Sequence, residues 1–394
     1  MTEITADRVG GDWLSAPRAQ AVFAALADQG FAAYAVGGCV RNALLGAPVE
    51  DLDIATEARP EETVAAVEAA GLKAVPTGAD HGTITVVSEG EGFEVTTFRA
   101  DVETDGRHAR VRFSKTLEED ARRRDFTINA LYARPDGQVI APLGAGQLED
   151  LAARRVRFIG DAEARIREDY LRILRYFRFA AWYGDPEAGF DPEALAAIAA
   201  EGAGLTRLSK ERVGAEMKKL LSAPDPAPAL GAMAQSGALA RVLPGAVSES
   251  LAPLIHLEGQ AGSGPEPLRR LAALGVRADV DLRLSKAEQK HLARLWEAVD
   301  SGAGPAALGY RFGEALARDA LLLRAAALGM PLDPEALSEA THGARQSFPV
   351  SARDLMPERQ GAEIGAALAE LEARWIASGF TLDRAALLAN LRKK

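Results

Sequence analysis

The sequence predicts a small α+β domain over residues 1–145, followed by an all-α remainder. Three observations predict it. Short β-prone runs bounded by glycines alternate with helical runs as far as Ile140. Beyond that point Ala, Leu, Glu and Arg dominate at helical spacing. Breaks rich in Pro, Gly and Ser at 222–228, 259–267 and 301–305 divide the helical part into segments 146–222, 223–300 and 301–394.

Each element follows in order. Residues 12–30 read as one helix, with Leu14, Ala21, Val22, Ala25 and Leu26 at helical spacing and Gly30 as the stop. A β-prone run over 33–36 meets Gly37 and Gly38, and a helix-forming run follows. Glycines at a strand-to-helix turn let the backbone approach a phosphate, and the helix start aims N–H groups at it. Next comes a short strand carrying Asp51 and Asp53 two residues apart. Side chains at i and i+2 of a strand share a face, so both carboxylates can hold the same metal pair, and hard oxygen ligands suit magnesium. Pro60, Glu61 and Glu62 open a helix that ends at Gly71. Runs 73–76, 83–87 and 93–98 alternate like strands, residues 99–117 read as a polar, mobile loop, and 127–133 with 139–140 close the sheet.

At 394 residues, 48% hydrophobic and 26% charged, the composition is that of a globular protein of several domains. A net charge of −10 argues against a generally sticky nucleic-acid binder, so RNA contacts require local basic patches. One such patch spans 151–183, where eight arginines face four acids, giving +4. The single cysteine, Cys39, excludes an internal disulfide, suits a reducing compartment and reads as a small packed residue. With no basic, apolar leader and no run of membrane-spanning length, a cytoplasmic protein without membrane contact is expected. The five histidines show no metal-ligand spacing.

Further chemistry concentrates in three places. Glu94 is one acid on an otherwise apolar, β-branched strand, 94–99. Arg122, Arg123 and Arg124 run straight into Asp125 and an apolar segment, and guanidinium forks match phosphate oxygens bidentately. Residues 168–179 read as one helix on which Asp169 and Arg172, three apart, share a face.

Taken together, GGCVRNALLG…EDLDIAT, EVTTFR, RRDFTINA, EDYLR and LSKER resemble, in order, the motifs of class II CCA-adding enzymes, polymerase-beta-like nucleotidyltransferases. The resemblance implies an α+β nucleotidyltransferase head with a small mixed sheet, followed by an all-α neck, body and tail, the tail gripping tRNA. It implies that Asp51 and Asp53 bind Mg²⁺ and that Glu94 is the third catalytic carboxylate. It implies nucleotide-binding roles for Gly37, Gly38, Arg41, Arg123, Arg124, Asp125 and Asn129. In the neck it implies base reading by Asp169 and Arg172, with Arg175 and Arg178 beside them, braced by the helix that begins at LSKER. The implied substrates are CTP, ATP and the tRNA 3′ end. Five positions depart from the family's pattern: Asn42 and Ala141 replace Asp, Tyr170 replaces Pro, and His108-Ala109 replaces a basic-proline pair after the loop motif Asp105-Gly106-Arg107. Rival readings are a bacterial poly(A) polymerase, a partial enzyme adding only CC or only A, and an RNA-binding protein with a relic site.

Overall fold

The computed structural model describes residues 8–100, 112–356 and 359–389. Helices α1 (Asp12–Ser15) and α2 (Pro17–Ala27) replace the single helix expected over 12–30. The break falls at Ala16, which is extended at φ −58°, ψ 140° because a residue preceding proline is driven out of the helical region. Then follow β1 (Ala33–Val36), α3 (Gly38–Leu44), β2 (Asp53–Thr56), α4 (Pro60–Ala69), β3 (Lys73–Gly78), β4 (Thr83–Ser88) and β5 (Glu91–Thr97). A two-stranded ribbon, β6 (Arg99–Ala100) with β7 (Arg112–Phe113), precedes α5 (Leu117–Arg122), β8 (Tyr132–Ala133) and β9 (Val139–Ile140). The loop motif at 105–107 lies outside the described residues.

Seven strands form one mixed sheet in the order β3-β4-β5-β2-β1-β8-β9. Among the described residues only β2 and β5 run parallel, because the chain leaves β2, passes through α4 and the β3–β4 pair, and returns beside it. That return sets Asp53 directly against Glu94 in register. The strand expected over 127–133 is shorter than its apolar pattern suggests. Residues Thr127–Asn129 make a 3-10 turn, and the Gln147 side chain takes the Ala130 carbonyl at 2.6 Å before β8 begins. Val36, Ala55, Phe98, Ala121, Ala130, Tyr132 and Ile159 form the core on which the strand ends rest.

Helices α6 (Gly146–Ala152), α7 (Ala162–Glu168), α8 (Leu171–Tyr183) and α9 (Pro192–Glu201) come next, and a 3-10 segment, Gly202–Arg207, closes the run. Phe126 anchors the sheet domain to these helices through ring contacts with Phe158 at 5.0 Å and Phe179 at 5.3 Å. The chain divides into two units, 1–209 with 228–242, and 210–227 with 243–394. In the second unit the described residues form helices without strands, from α10 (Lys210–Leu221) to the C-terminal Arg384–Ala389. Its interior holds Arg269 and Arg270, both paired with the buried Glu258. No helix of the described residues is long and apolar enough to cross a membrane.

Candidate active site

The glycine turn is built as the sequence suggests. Gly37 has φ 75°, a conformation glycine adopts at little steric cost, and caps α3, while its N–H donates to the Leu131 carbonyl at 2.9 Å. A Cβ there would make ordinary contact with Arg124 Nη1 at 3.4 Å, so the positive φ, and not crowding, is what favours glycine. Gly38 opens the helix, whose first N–H groups have no intrahelical partner.

Asp53 begins β2, whereas Asp51 lies just before it, a correction to the strand expected to carry both. β1 and β5 begin to pair with β2 only at Ile54 and Asp53, leaving Asp51 and Leu52 without a strand partner. Burial still alternates, with Asp51 and Asp53 exposed and Leu52 buried, so the two carboxylates keep a common side. Desolvation by the surrounding protein, then the Glu94 and Asp51 carboxylates, raise the Asp53 carboxyl above its ordinary pKa, with Arg124 opposing. This is a site crowded with negative charge and hard oxygen donors, a donor set that fits a divalent cation such as Mg²⁺. Cys39, behind the turn, is buried and its thiol is pushed up to about 11, which removes it as a nucleophile.

Asp120 organises the arginines, a role its place in a charged run did not reveal. It is 1% exposed and accepts Arg123 Nε at 2.7 Å, Arg124 Nη2 at 3.0 Å, the Tyr132 hydroxyl at 2.6 Å and the Arg99 N–H at 3.1 Å. Against burial, Arg124 and Arg123 hold its carboxyl down at about 2. The i,i+3 and i,i+4 spacing to Arg123 and Arg124 was the available signal.

Asp125, Asn129 and Arg41 are brought together, but facing inward. The Asp125 carboxylate accepts Asn129 Nδ2 at 3.1 Å and Arg175 Nε at 2.7 Å. Arg41 donates to Asn129 Oδ1 and to Asn42 Oδ1, the latter at 2.9 Å from Nη2, and its guanidinium lies 3.8 Å from the Tyr183 ring centroid. Only 5% exposed, Arg41 has its pKa lowered by that burial. The Asn42 departure has a local reason, since its amide also donates to the Pro48 carbonyl at 2.9 Å, which a carboxylate would repel.

The helix expected over 168–179 is broken. α7 ends at Glu168, Asp169 is extended at φ −154°, ψ 105°, and α8 starts at Leu171, so Asp169 and Arg172 do not share a continuous helical face. Arg172 Nη1 instead donates to the Glu168 carboxylate and to the Arg165 carbonyl, the latter at 2.7 Å. Arg165 donates to the Arg123 and Arg124 carbonyls, joining this break to the arginine run. Arg175 and Arg178 lie along α8 with guanidinium carbons 5.3 Å and 4.3 Å from the Phe179 ring centroid.

Among the described residues, the trio of potential metal ligands whose donor atoms come within 4.8 Å of one another is Glu266, His291 and Asp319, in the second unit. Sequence spacing leaves His291 without ligand partners because Glu266 caps the helix Pro267–Ala273 and Asp319 lies on the helix Glu314–Leu328. Asp319 there already accepts Arg269 at 2.7 Å.

Residues 33–157 match the Poly A polymerase head domain, and 189–249 match the family described as the probable RNA and SrmB-binding site of polymerase A. The chain is 36% identical over 386 residues to the mitochondrial CCA tRNA nucleotidyltransferase 1 of Homo sapiens, covering 91% of this chain and 86% of that protein. It belongs to the class II CCA-adding enzyme family. A CCA-adding enzyme of Geobacillus thermodenitrificans is 44% identical over 218 residues, 55% of this chain and 52% of that one. The structure of the Bacillus stearothermophilus CCA-adding enzyme in complex with CTP superposes with a TM-score of 0.74 at 29% identity, over 95% of this chain and 97% of that one. The nucleotidyltransferase head and the helical regions after it are therefore those of a CCA-adding enzyme.

Proposed function

We propose that this enzyme adds or repairs the 3′-terminal CCA of tRNA from CTP and ATP, without a nucleic-acid template, releasing pyrophosphate. The observation that carries the reading is the parallel register of Asp53 against Glu94, one β1–β2 pairing away from the Gly37–Gly38 turn. Asp51 and Asp53 would hold Mg²⁺, which supplies charge neutralisation at the transferring phosphate when bound. Glu94 accepts the proton of the attacking 3′-hydroxyl or completes the carboxylate set. The Gly37–Gly38 turn and the arginines at 123 and 124 seat the triphosphate. Asp125 and Asn129, with Arg41 behind them, position the nucleotide, and Asp169 and Arg172 read its base beside Arg175 and Arg178.

Cytosine and adenine both present an amino donor beside an unprotonated ring nitrogen, and uracil and guanine reverse that polarity. A carboxylate beside a guanidinium therefore accepts the first two and leaves buried polar groups unpaired with the others. The domain roles follow the sequence: a catalytic head at 1–145, a base-recognition neck at 146–222, a body at 223–300 and a tRNA-binding tail at 301–394. The single cysteine suits a reducing compartment such as the cytoplasm. The test is incubation with tRNA lacking its CCA end and each labelled nucleotide, separately and together. CTP alone should add two residues, and A should follow only then. Addition of A runs without C would instead identify a poly(A) polymerase.

A further inference from the structure

Asp169 sits between two helices and belongs to neither, so the aim of its carboxylate depends on what fixes the break. Its Oδ1 accepts the Leu171 N–H at 3.1 Å, and the Asp169 and Tyr170 carbonyls accept the Arg172 and Ile173 N–H groups at 3.0 and 3.2 Å, which ties the C-terminal side of the break to the start of α8. Tyr170 has φ −59° and ψ −16°, and its side chain lies over the 3-10 segment Gly202–Arg207. A Cβ added at Gly204 would stand 1.9 Å from Tyr170 Cε1, 2.1 Å from Cδ1 and 2.3 Å from Cζ. Gly204 is not among the residues with positive φ, so the ring, and not the backbone, demands a glycine there. The Arg207 guanidinium carbon lies 5.6 Å from the Tyr170 ring centroid and adds a cation–π contact to the same seat.

We propose that Tyr170 is a positioning residue for Asp169: its ring, seated on Gly204, holds the helix break in the shape that aims the carboxylate. This rests on the reading of Asp169 as a base-recognition group. The backbone shape at Tyr170 is independent of that reading. A φ of −59° is what a proline ring imposes, and a proline also drives its predecessor into the extended region that Asp169 occupies. Among the described residues the Tyr170 N–H donates no backbone hydrogen bond, so a proline would forfeit none there. Tyrosine lacks the covalent lock and reaches the same backbone shape by packing.

The experiment compares Gly204→Ala, Tyr170→Pro and the double variant on tRNA lacking CCA. The readouts are kcat/KM for CTP, the ratio of CTP to UTP incorporation, tRNA affinity and thermal stability. Gly204→Ala should lower kcat/KM for CTP by about tenfold to a hundredfold, the range expected for a misplaced group, and lower the ratio with it, at unchanged tRNA affinity. Adding Tyr170→Pro removes the colliding ring and restores the lock, so the double variant should regain the wild-type ratio. A double variant as impaired as Gly204→Ala, or a wild-type ratio in Gly204→Ala, overturns the proposal. If Gly204→Ala fails to fold, Tyr170→Ala should lose the ratio while Tyr170→Pro keeps it, and equal ratios in those two overturn it as well. Asp169→Ala separates the two ideas, because a wild-type ratio in that variant refutes the base-reading role itself.

Discussion

Replacing Asp120 by Asn removes one negative charge from beneath Arg123 and Arg124 while keeping the shape of the side chain. Held at about 2 against an ordinary value near ~3.9, the Asp120 carboxylate contributes roughly 2.6 kcal/mol to stability at pH 7. It is 1% exposed, so solvent screening removes little of that. The sign is that of a depressed acid: the contribution is present above pH ~4 and is lost as pH falls toward ~2, with about half remaining at pH ~3. Since an amide imitates the protonated acid, the difference between Asp120→Asn and the wild type should shrink from about 2.6 kcal/mol at pH 7 to about half that at pH 3. Urea unfolding of both proteins at the two pH values measures it. A difference below about 1 kcal/mol at pH 7, or one that does not shrink with acid, refutes the role given to this carboxylate. Nucleotide addition by the variant should fall by about tenfold to a hundredfold, because both guanidinium groups lose their common brace.

Asp51→Ala and Asp53→Ala should each cost at least ~10²-fold in nucleotide addition at undiminished tRNA binding, and chelation of divalent cations should stop the wild type until Mg²⁺ is restored. Turnover above about a hundredth of wild type in either variant removes the metal assignment. Arg172→Ala should erode rejection of UTP as well as lower CTP and ATP use, measured as the CTP to UTP incorporation ratio; an even loss of activity at constant ratio would place base reading elsewhere. Shortening the 101–115 segment should spare CC addition and abolish the terminal A, seen as products one nucleotide short on a sequencing gel. Equal loss of both steps would make the segment general scaffolding.

Elements whose signals are local were legible in the sequence. The Gly37–Gly38 turn, the helix opened by Pro60 and the strands between glycines follow from backbone chemistry within a few residues. What depends on distant partners was not. The register that puts Asp53 against Glu94 spans about forty residues and a crossover; no spacing rule encodes it, and only the family resemblance joins Glu94 to the two aspartates. The break at Asp169 is masked by an apolar period that continues across it, and the ring of Tyr170 over Gly204 beside it is a contact between separate elements. Asp120 and the pair Arg269–Arg270 are all buried although charged, with partners on another turn or another helix.

The arrangement also explains why residues expected at the nucleotide turn inward. Arg41 joins Asn129, Asn129 joins Asp125, and Asp125 joins Arg175, so the glycine-turn helix, the 3-10 turn and α8 are connected by one run of charged and amide side chains. A second run passes from Asp120 through Arg123 and Arg124 to Arg165 and on to Arg172. Each joins an element proposed to seat the triphosphate to the helix region proposed to read the base. Buried groups of this kind lose stability when one partner is removed, because the other is left charged and unpaired. Under the proposed reading of Asp169 and Arg172, the two runs hold the distance between phosphate and base contacts, and that distance is what a protein choosing nucleotides without a template must keep constant. On this argument Asp125 and Arg41 serve the nucleotide by spacing its two ends, whether or not either side chain touches it.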